Sequence, residues 1–197
     1  MDPKPLSFSK LTGISEKTMS IHHDKLYAGY VAKANEVNEK LTSLASGKGD
    51  LSTANPTFSE LRALRDGETF ATNGAYLHEA YFGVLGGDGK PEGKIVDDLI
   101  ATFGAWENFV NYFSASGMAM RGWLVLCWDT NVERLRVFGC DAHNQGGVWG
   151  CLPILVLDVY EHAYFIDYGS DRKSYIADWW KNLDWKAVDA LYQKAVR

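Results

Sequence analysis

The residues best suited to chemistry lie where an apolar run ends, in the last third of the chain. Residues 152–157 read Leu-Pro-Ile-Leu-Val-Leu, a pattern typical of a buried strand. Asp158 follows directly, and His162 comes four residues later. A buried carboxylate is costly unless it is paired or binds a metal, and imidazole with carboxylate suits iron, manganese and zinc. Taken alone, this segment fits half of a metal site and a structural Asp–His hydrogen bond equally well.

A second histidine, His22, lies on the apolar face of a predicted long helix near the N-terminus. Apolar residues recur at intervals of three or four from His22 to Leu44, which aligns them on one helical face. The glycines and serine at 46–49 predict the end of this helix. His23 lies beside the apolar face, and we expect it to face water.

A third candidate histidine lies on the apolar face of a second predicted helix. The pattern predicts a short helix over residues 58–65 and a longer one over 68–85, with His78 on the apolar side of the latter. Short connections favour antiparallel neighbours, so these helices predict a hairpin with the first one. One buried histidine is usually a satisfied core residue, whereas two on facing helices indicate a site.

The pattern changes after the glycine-rich segment 86–93, which predicts a boundary. We therefore expect an arm and helical hairpin over residues 1–88 and a second domain over 89–197. The predicted fold class is α+β: an N-terminal antiparallel helical hairpin, then a mixed domain with a small three-stranded antiparallel sheet flanked by helices. The elements predicted for this domain are helices at 94–102, 105–114, 170–182 and 185–196, and strands at 122–128, 135–138 and 152–158.

Composition excludes several function classes. The chain has 197 residues, 46% apolar and 23% charged, as in an ordinary globular protein. A formal net charge of −5 without a Lys/Arg run argues against nucleic acid as a partner. No run is long enough for a membrane span, and residues 1–7 lack a signal-peptide core, so we expect a cytoplasmic protein without a membrane partner. Cys127, Cys140 and Cys151 lack a CxxC spacing, and we expect reduced, buried thiols and not a zinc site, with a disulfide between strands as the alternative.

Four segments, in this order and spacing, resemble the iron/manganese superoxide dismutases over nearly the full chain. The segment from Asp158 onward is the most specific of the four. They are His22-His23-Asp24-Lys25 followed by Tyr30; residues 73–78, which read Asn-Gly-Ala-Tyr-Leu-His; Gly122-Trp123; and residues 158–164, which read Asp-Val-Tyr-Glu-His-Ala-Tyr.

The resemblance implies an enzyme with one redox-active metal ion per subunit. His22, His78, Asp158 and His162 would bind one iron or manganese ion, with water or hydroxide as a fifth ligand. The implied reaction converts two superoxide ions and two protons into dioxygen and hydrogen peroxide by redox cycling of that ion. The alternative is a metal-binding or structural homologue of the same fold without fast dismutase activity, because fold alone does not fix function.

The resemblance also implies a side chain that hydrogen-bonds to the metal-bound solvent and tunes its pKa. One position for it lies four residues before the second histidine ligand; here that residue is Gly74, which cannot donate. The other lies in the loop before the third strand. Counting back from Asp158 without gaps gives His143, with Gln145 as the rival. Gly74 together with His143 favours iron slightly over manganese.

Other matched positions concern the pocket. Tyr30 matches the tyrosine at the mouth of the substrate channel, and we expect it to act with His143 in proton transfer. Trp123 matches the tryptophan that walls the metal pocket. Phe82 and Tyr160 stand where tryptophans are common, so the wall is expected to stay apolar with a changed volume.

The resemblance further implies a homodimer, with a tetramer as the alternative. Glu161 matches a residue that bonds to the last histidine ligand of the partner subunit. Leu26 and Phe165 replace a His and a Tyr that commonly pair across the dimer. Replacing both partners of a buried hydrogen bond with apolar groups is nearly neutral, so we expect these two side chains to meet between subunits.

Overall fold

The first half of the chain is helical, and the second half combines helices with a three-stranded antiparallel sheet. The computed structural model describes all 197 residues. This architecture confirms the predicted α+β class. None of the helices is both long and apolar enough to cross a membrane. The elements are α1 (Glu16–Met19), a π-helical segment (Ser20–Tyr27), α2 (Ala28–Ala45), α3 (Glu60–Gly83), α4 (Lys94–Phe103), α5 (Trp106–Ala119), β1 (Trp123–Asp129), β2 (Arg134–Cys140), β3 (Cys151–Asp158), a 3₁₀ turn (Glu161–Ala163), α6 (Phe165–Tyr168), α7 (Arg172–Lys181) and α8 (Trp185–Ala195).

The first helix differs from the uniform helix that the sequence predicts. It begins after Ser15, whose hydroxyl accepts from the backbone N–H of Thr18, and α1, the π-helical segment and α2 form one continuous helical path. Within the π-helical segment, the buried positions step by five residues, from His22 to Tyr27. A wider turn of this kind is frequent at functional sites. It places His22 in the protein interior and shifts the buried face of the following turn.

Two predicted helices are in fact one. α3 runs unbroken from Glu60 to Gly83, so the predicted break between residues 65 and 68 is wrong. Gly67 lies within the helix, where a glycine costs only about 1 kcal/mol. Buried Leu64 packs in a cluster with side chains of α2, and this packing stabilises the helix through the glycine. The α2 members of that cluster are Val37, Leu41 and Leu44.

The sheet has the strand order β2-β1-β3, with both pairs antiparallel. At one end of β1, Trp123 pairs with Cys140 on β2 and with Asp158 on β3. At the other end, Asp129 pairs with Arg134 on β2. We call these the metal end and the turn end of the sheet. The register delivers Asp158 to the same level as the buried Trp123 ring.

Two smaller expectations also meet the structure. Cys127 and Cys140 are buried and Cys151 is partly exposed, and all three are free thiols. The expectation that His23 faces water is wrong, because its side chain is only 12% exposed. The N-terminal arm covers it, with the carbonyl oxygen of Lys4 lying 2.8 Å from its Nε2.

Candidate metal centre

Four side chains converge between the helical half and the metal end of the sheet. The Nε2 atoms of His22 and His162 lie 3.1 and 3.2 Å from Oδ2 of Asp158. Nε2 of His78 lies 3.7 Å from the same oxygen. The four candidate ligand atoms all lie within 4.8 Å of one another. The structure therefore brings together all four residues that the sequence predicts as metal ligands.

Each of these side chains comes from a different local structure. His22 projects from the π-helical segment, His78 from the middle of α3, and His162 from the 3₁₀ turn after β3. Asp158 is the last residue of β3, and its Oδ1 accepts from the backbone N–H of Tyr160 at 2.9 Å. That hydrogen bond leaves Oδ2 to face the three imidazoles.

The electrostatics of the cluster favour a cation. Burial lowers the pKa of His22, and it lowers the pKa of His78 to about 3. Burial alone would raise the pKa of Asp158, but His162 and His22 beside it hold that pKa well below its usual range. Burial likewise opposes protonation of His162, yet the adjacent Asp158 carboxylate raises its pKa. A carboxylate thus faces at least two neutral imidazoles, the protonation state that metal ligands require.

The hydrogen-bond pattern tests whether these residues fit a metal ion. His78 Nδ1 donates to the carbonyl oxygen of Gly74 at 2.5 Å, so the lone pair of the neutral ring lies on Nε2. Nε2 of His78 is buried and has no hydrogen-bond partner. Three imidazole nitrogens and one carboxylate form a donor set that suits iron or manganese, unlike the cysteine-rich set of closed structural zinc sites. The residues present therefore fit a single iron or manganese ion.

His143 lies inside the pocket, whereas Gln145 is exposed. Nδ1 of His143 accepts a hydrogen bond of 2.9 Å from Nε1 of Trp123. Because an indole can only donate, the neutral imidazole carries its proton on Nε2. Burial lowers the pKa of His143 to about 4, and its Nε2 makes no hydrogen bond within the chain.

Tyr30 packs against the histidines from the helical side. Its ring stacks on His78 with centroids 5.3 Å apart and meets the edge of His143 at 4.6 Å. A Cβ added at Gly74 would lie 2.7 Å from Cδ1 of Tyr30. Gly74 is therefore needed for the close approach of the tyrosine ring. It also has no side chain that could donate a hydrogen bond.

Aromatic rings surround the four candidate ligands, as the sequence predicts for the pocket wall. Trp123 is fully buried, and its ring centroid lies 4.9 Å from that of His78. The ring centroids of Phe82 and His22 lie 5.0 Å apart, and the ring of Tyr160 stacks on that of His162 with centroids 5.2 Å apart.

The residues predicted to contact a partner subunit lie at the exposed side of the cluster. Glu161 is exposed and forms no ion pair or side-chain hydrogen bond within the chain. Phe165 is 52% exposed, and Leu26 is half-buried. The side chain of His162 is 25% exposed, whereas those of His22, His78 and Asp158 are fully buried.

Sequence reasoning missed three residues that support the site. The ring centroids of Phe70 and His143 lie 4.7 Å apart. Phe70 precedes His78 by eight residues on α3, and this spacing could have predicted that both lie on one helical face. Asn73 Nδ2 donates to the carbonyl oxygen of His143 at 3.0 Å. Tyr175 donates its hydroxyl to the carbonyl oxygen of Asp158 at 2.8 Å. Neither of the last two has a local sequence signal, because each partner is distant in the chain.

A helical hairpin joined to a small α+β unit, with one buried nitrogen-and-oxygen site between them, defines a mononuclear metalloprotein. Comparison with known families makes this class specific. Residues 9–86 match the α-hairpin domain of the iron/manganese superoxide dismutases, and residues 91–191 match the C-terminal domain of the same family. The chain belongs to the iron/manganese superoxide dismutase family.

Individual relatives agree with the family models. The chain is 40% identical over 200 residues to the iron superoxide dismutase of Aquifex pyrophilus, covering 100% of this chain and 93% of the relative. It is 35% identical over 185 residues to manganese superoxide dismutase 2 of Halobacterium salinarum, covering 93% and 88%. It is 32% identical over 203 residues to the iron superoxide dismutase of Pyrobaculum aerophilum, covering 100% and 92%. These findings confirm an oxidoreductase of the superoxide dismutase class and do not favour a homologue without that activity.

Proposed function

We propose that this protein disproportionates superoxide at a single iron or manganese ion held by His22, His78, Asp158 and His162. The observation that carries the proposal is the convergence of three imidazole nitrogens on one oxygen of a buried carboxylate. When bound, the metal supplies the one-electron exchange that oxidises one superoxide to dioxygen and reduces a second. The second superoxide takes up two protons and leaves as hydrogen peroxide.

The chain's own residues manage those protons. In our proposal His143 holds a proton on Nε2 and presents it to the reacting oxygen, while Trp123 fixes this tautomer by donating to Nδ1. Asn73 positions His143 by bonding to its carbonyl oxygen. Because Asn73 and His78 both lie on α3, one helix sets both a metal ligand and the proton donor. Tyr30 stands half-buried at the edge of both rings and assists the transfer.

The aromatic wall limits what reaches the site. Trp123 and Phe82 are buried, and Tyr160 closes the side near His162. These rings exclude bulk water from the candidate ligands, which strengthens electrostatic interactions inside the pocket.

We propose iron as the resident metal. Gly74 combined with His143 supports iron, and two relatives at 40% and 32% identity are iron superoxide dismutases. Iron and manganese share this donor set, so selection depends on redox tuning as much as on affinity. The test is elemental analysis of the purified protein, followed by dismutase assays after reconstitution with each metal. Activity with iron alone supports the assignment, and activity with manganese alone overturns it. Metal without activity in either case overturns the proposed function.

We also propose a homodimer in which Glu161 reaches His162 of the partner subunit. The support is that Glu161 is exposed and unpaired, next to the one candidate ligand that is partly exposed. Glu161→Ala is expected to weaken the dimer and lower its metal content by about 10-fold, the scale of an outer-shell loss. Sedimentation and metal analysis measure both effects. Glu39→Ala, which removes an exposed carboxylate from α2, is the matched control and should change neither.

Two further proposals concern organisation and location. We propose that the chain divides between residues 88 and 89 into an arm with a hairpin and an α+β domain, because the two family matches meet on either side of that point. Limited proteolysis tests the division: cleavage within residues 86–93 supports it.

We propose a cytoplasmic protein, supported by three free thiols, and fractionation of the source cells tests this.

A further inference from the structure

Two buried tyrosines lie beside the metal centre and have no step in the reaction proposed above. Tyr81 and Tyr175 are both fully buried, and their hydroxyl oxygens lie 3.1 Å apart. The ring centroid of Tyr81 lies 5.2 Å from that of His22. Tyr175 donates its hydroxyl to the carbonyl oxygen of Asp158 at 2.8 Å. The pair therefore contacts two of the four candidate ligands.

A third tyrosine continues this series toward the surface. The ring centroid of Tyr168 lies 5.9 Å from that of Tyr175, and Tyr168 is half-buried. We call Tyr81, Tyr175 and Tyr168 the tyrosine path. A phenol ring loses a single electron more readily than an aliphatic side chain does, and an electron moves faster between neighbouring rings than across saturated carbon. The path therefore joins His22 to the surface through oxidisable rings.

Of the three tyrosines, only the outer one has a partner that can accept its proton. The hydroxyl of Tyr168 donates to Oδ2 of Asp178 at 2.8 Å, while Oδ1 is paired with Lys181 at 2.7 Å. A phenol that has lost an electron is a strong acid, and a carboxylate within hydrogen-bond reach takes its proton. Tyr81 and Tyr175 bond to each other and to a backbone carbonyl, which are far weaker bases. A neutral radical on the path is therefore most stable at Tyr168.

A branch of the path at Tyr164 lacks this property. Its ring stacks on that of Tyr175 with centroids 5.1 Å apart, but its hydroxyl accepts a hydrogen bond from Nε of Arg172 at 3.1 Å. A guanidinium has no site for a further proton. Its positive charge also disfavours removal of an electron from the adjacent ring. The contrast selects Tyr168 as the end of the path.

The proposed reaction itself supplies an oxidant, hydrogen peroxide, so the following inference rests on the proposed function. We propose that the tyrosine path delivers an electron from Tyr168 to hydrogen peroxide at the metal centre. The O–O bond breaks and takes up two electrons, one from the reduced metal ion and one from Tyr168. The products are two hydroxide ions, which solvent protons convert to water. The phenolic proton of Tyr168 moves to Asp178, which leaves a neutral tyrosyl radical away from the ligands.

Electron paramagnetic resonance tests the proposal on the full chain, loaded with iron, reduced, mixed with hydrogen peroxide and frozen. The unaltered protein should show the narrow signal of an organic radical. Deuteration of the tyrosine rings should narrow the signal further, which distinguishes a tyrosyl from a tryptophanyl radical. Tyr168→Phe should lose the signal. Its dismutase activity should also fall faster in peroxide, because the oxidation then stays at the ligands, and peptide mass spectrometry should find more oxidised His22.

Tyr192→Phe is the matched control. Tyr192 also donates to a carboxylate, that of Asp98, and in both tyrosines burial together with the carboxylate raises the pKa of the phenol. Its ring packs on Trp128 at the turn end of the sheet and not on the tyrosine path. Tyr192→Phe should therefore keep both the radical and the survival in peroxide.

A second variant removes the proton acceptor and keeps the phenol. Asp178→Asn leaves an oxygen to accept the hydrogen bond of Tyr168 but cannot take its proton, so the radical signal should fall. Dismutase activity before peroxide is added shows that each variant is folded, and Asp178→Asn decides the matter where Tyr168→Phe does not fold.

The outcomes separate this inference from the proposed function. An unchanged radical in Tyr168→Phe or in Asp178→Asn overturns the path, as does the absence of a radical in a chain that dismutates superoxide. Equal loss of the signal in Tyr192→Phe and Tyr168→Phe also overturns it. A chain that binds no metal, or has no dismutase activity before peroxide is added, overturns the proposed function and this inference with it.

Discussion

The two ends of the sheet each bury a carboxylate, and the two carboxylates are neutralised differently. At the turn end, Asp129 Oδ2 accepts from the guanidinium of Arg136 at 3.1 Å, and Oδ1 accepts twice from Asn131 at 3.0 Å. At the metal end, Asp158 Oδ2 faces only imidazoles, two of them with a lowered pKa. A buried charge is stable only when it is paired. Asp129 has its cation within the chain, whereas Asp158 lacks a permanent one, and in our proposal a metal ion supplies that charge.

Removing each carboxylate tests this difference with the largest expected effect. Asp158→Ala should abolish metal binding and lower dismutase activity by more than about 100-fold, since even an outer-shell loss costs about 10–100-fold. Asp129→Ala should keep the metal and the activity per metal. It should lower the free energy of unfolding by about 1–3 kcal/mol, because it leaves the Asn131 donors and the Arg136 guanidinium without their acceptor.

Metal analysis, dismutase assays and urea unfolding on both variants provide the comparison. Equal metal loss in the two variants would show that Asp158 has no special role at the metal end. Retention of metal by Asp158→Ala would contradict the assignment of this carboxylate as a ligand.

The next largest contrast is between two residues of the loop that joins β2 to β3, buried His143 and exposed Gln145. His143→Ala should lower activity by about 10–100-fold with metal retained, because the proposed proton donor is lost. Gln145→Ala should have no effect, because that side chain is exposed. Asn73→Ala removes one hydrogen bond to His143 and should lower the dismutase activity by about threefold. Reversal of the first two results would make Gln145 the partner of the metal-bound solvent.

Two helical glycines give the smallest contrast. Gly74→Ala places a Cβ 2.7 Å from Cδ1 of Tyr30, so the ring must move. We expect a loss of up to about 10-fold in activity and about 1–3 kcal/mol in the free energy of unfolding. A Cβ added at Gly29 would have no atom within 4 Å. Gly29→Ala should therefore raise the free energy of unfolding by about 0.5–1 kcal/mol. Equal effects would mean that Tyr30 adjusts freely, which urea unfolding and assays per metal determine.

Much of the fold was predictable because the signals are local. Helical periodicity located the helices of the hairpin, and the apolar run before Asp158 located β3. The continuity of α3 through Gly67 was not predictable, because it depends on Leu64 packing against α2. The π-helical segment around His22 was also missed. Its five-residue step becomes apparent only once the structure shows that His22 and Tyr27 are the buried side chains.

The sequence by itself determined the types and chain positions of the four candidate ligands and the family to which they belong. Those properties follow from residue identity and spacing. Tertiary structure alone showed how Asp129 and Asp158 differ in their neutralising partners, that His143 is buried whereas Gln145 is exposed, and that Gly74 makes room for Tyr30. The physical reason is that burial, charge neutralisation and close approach depend on side chains far apart in the chain. Their distances are set by the packing of α2, α3 and the sheet.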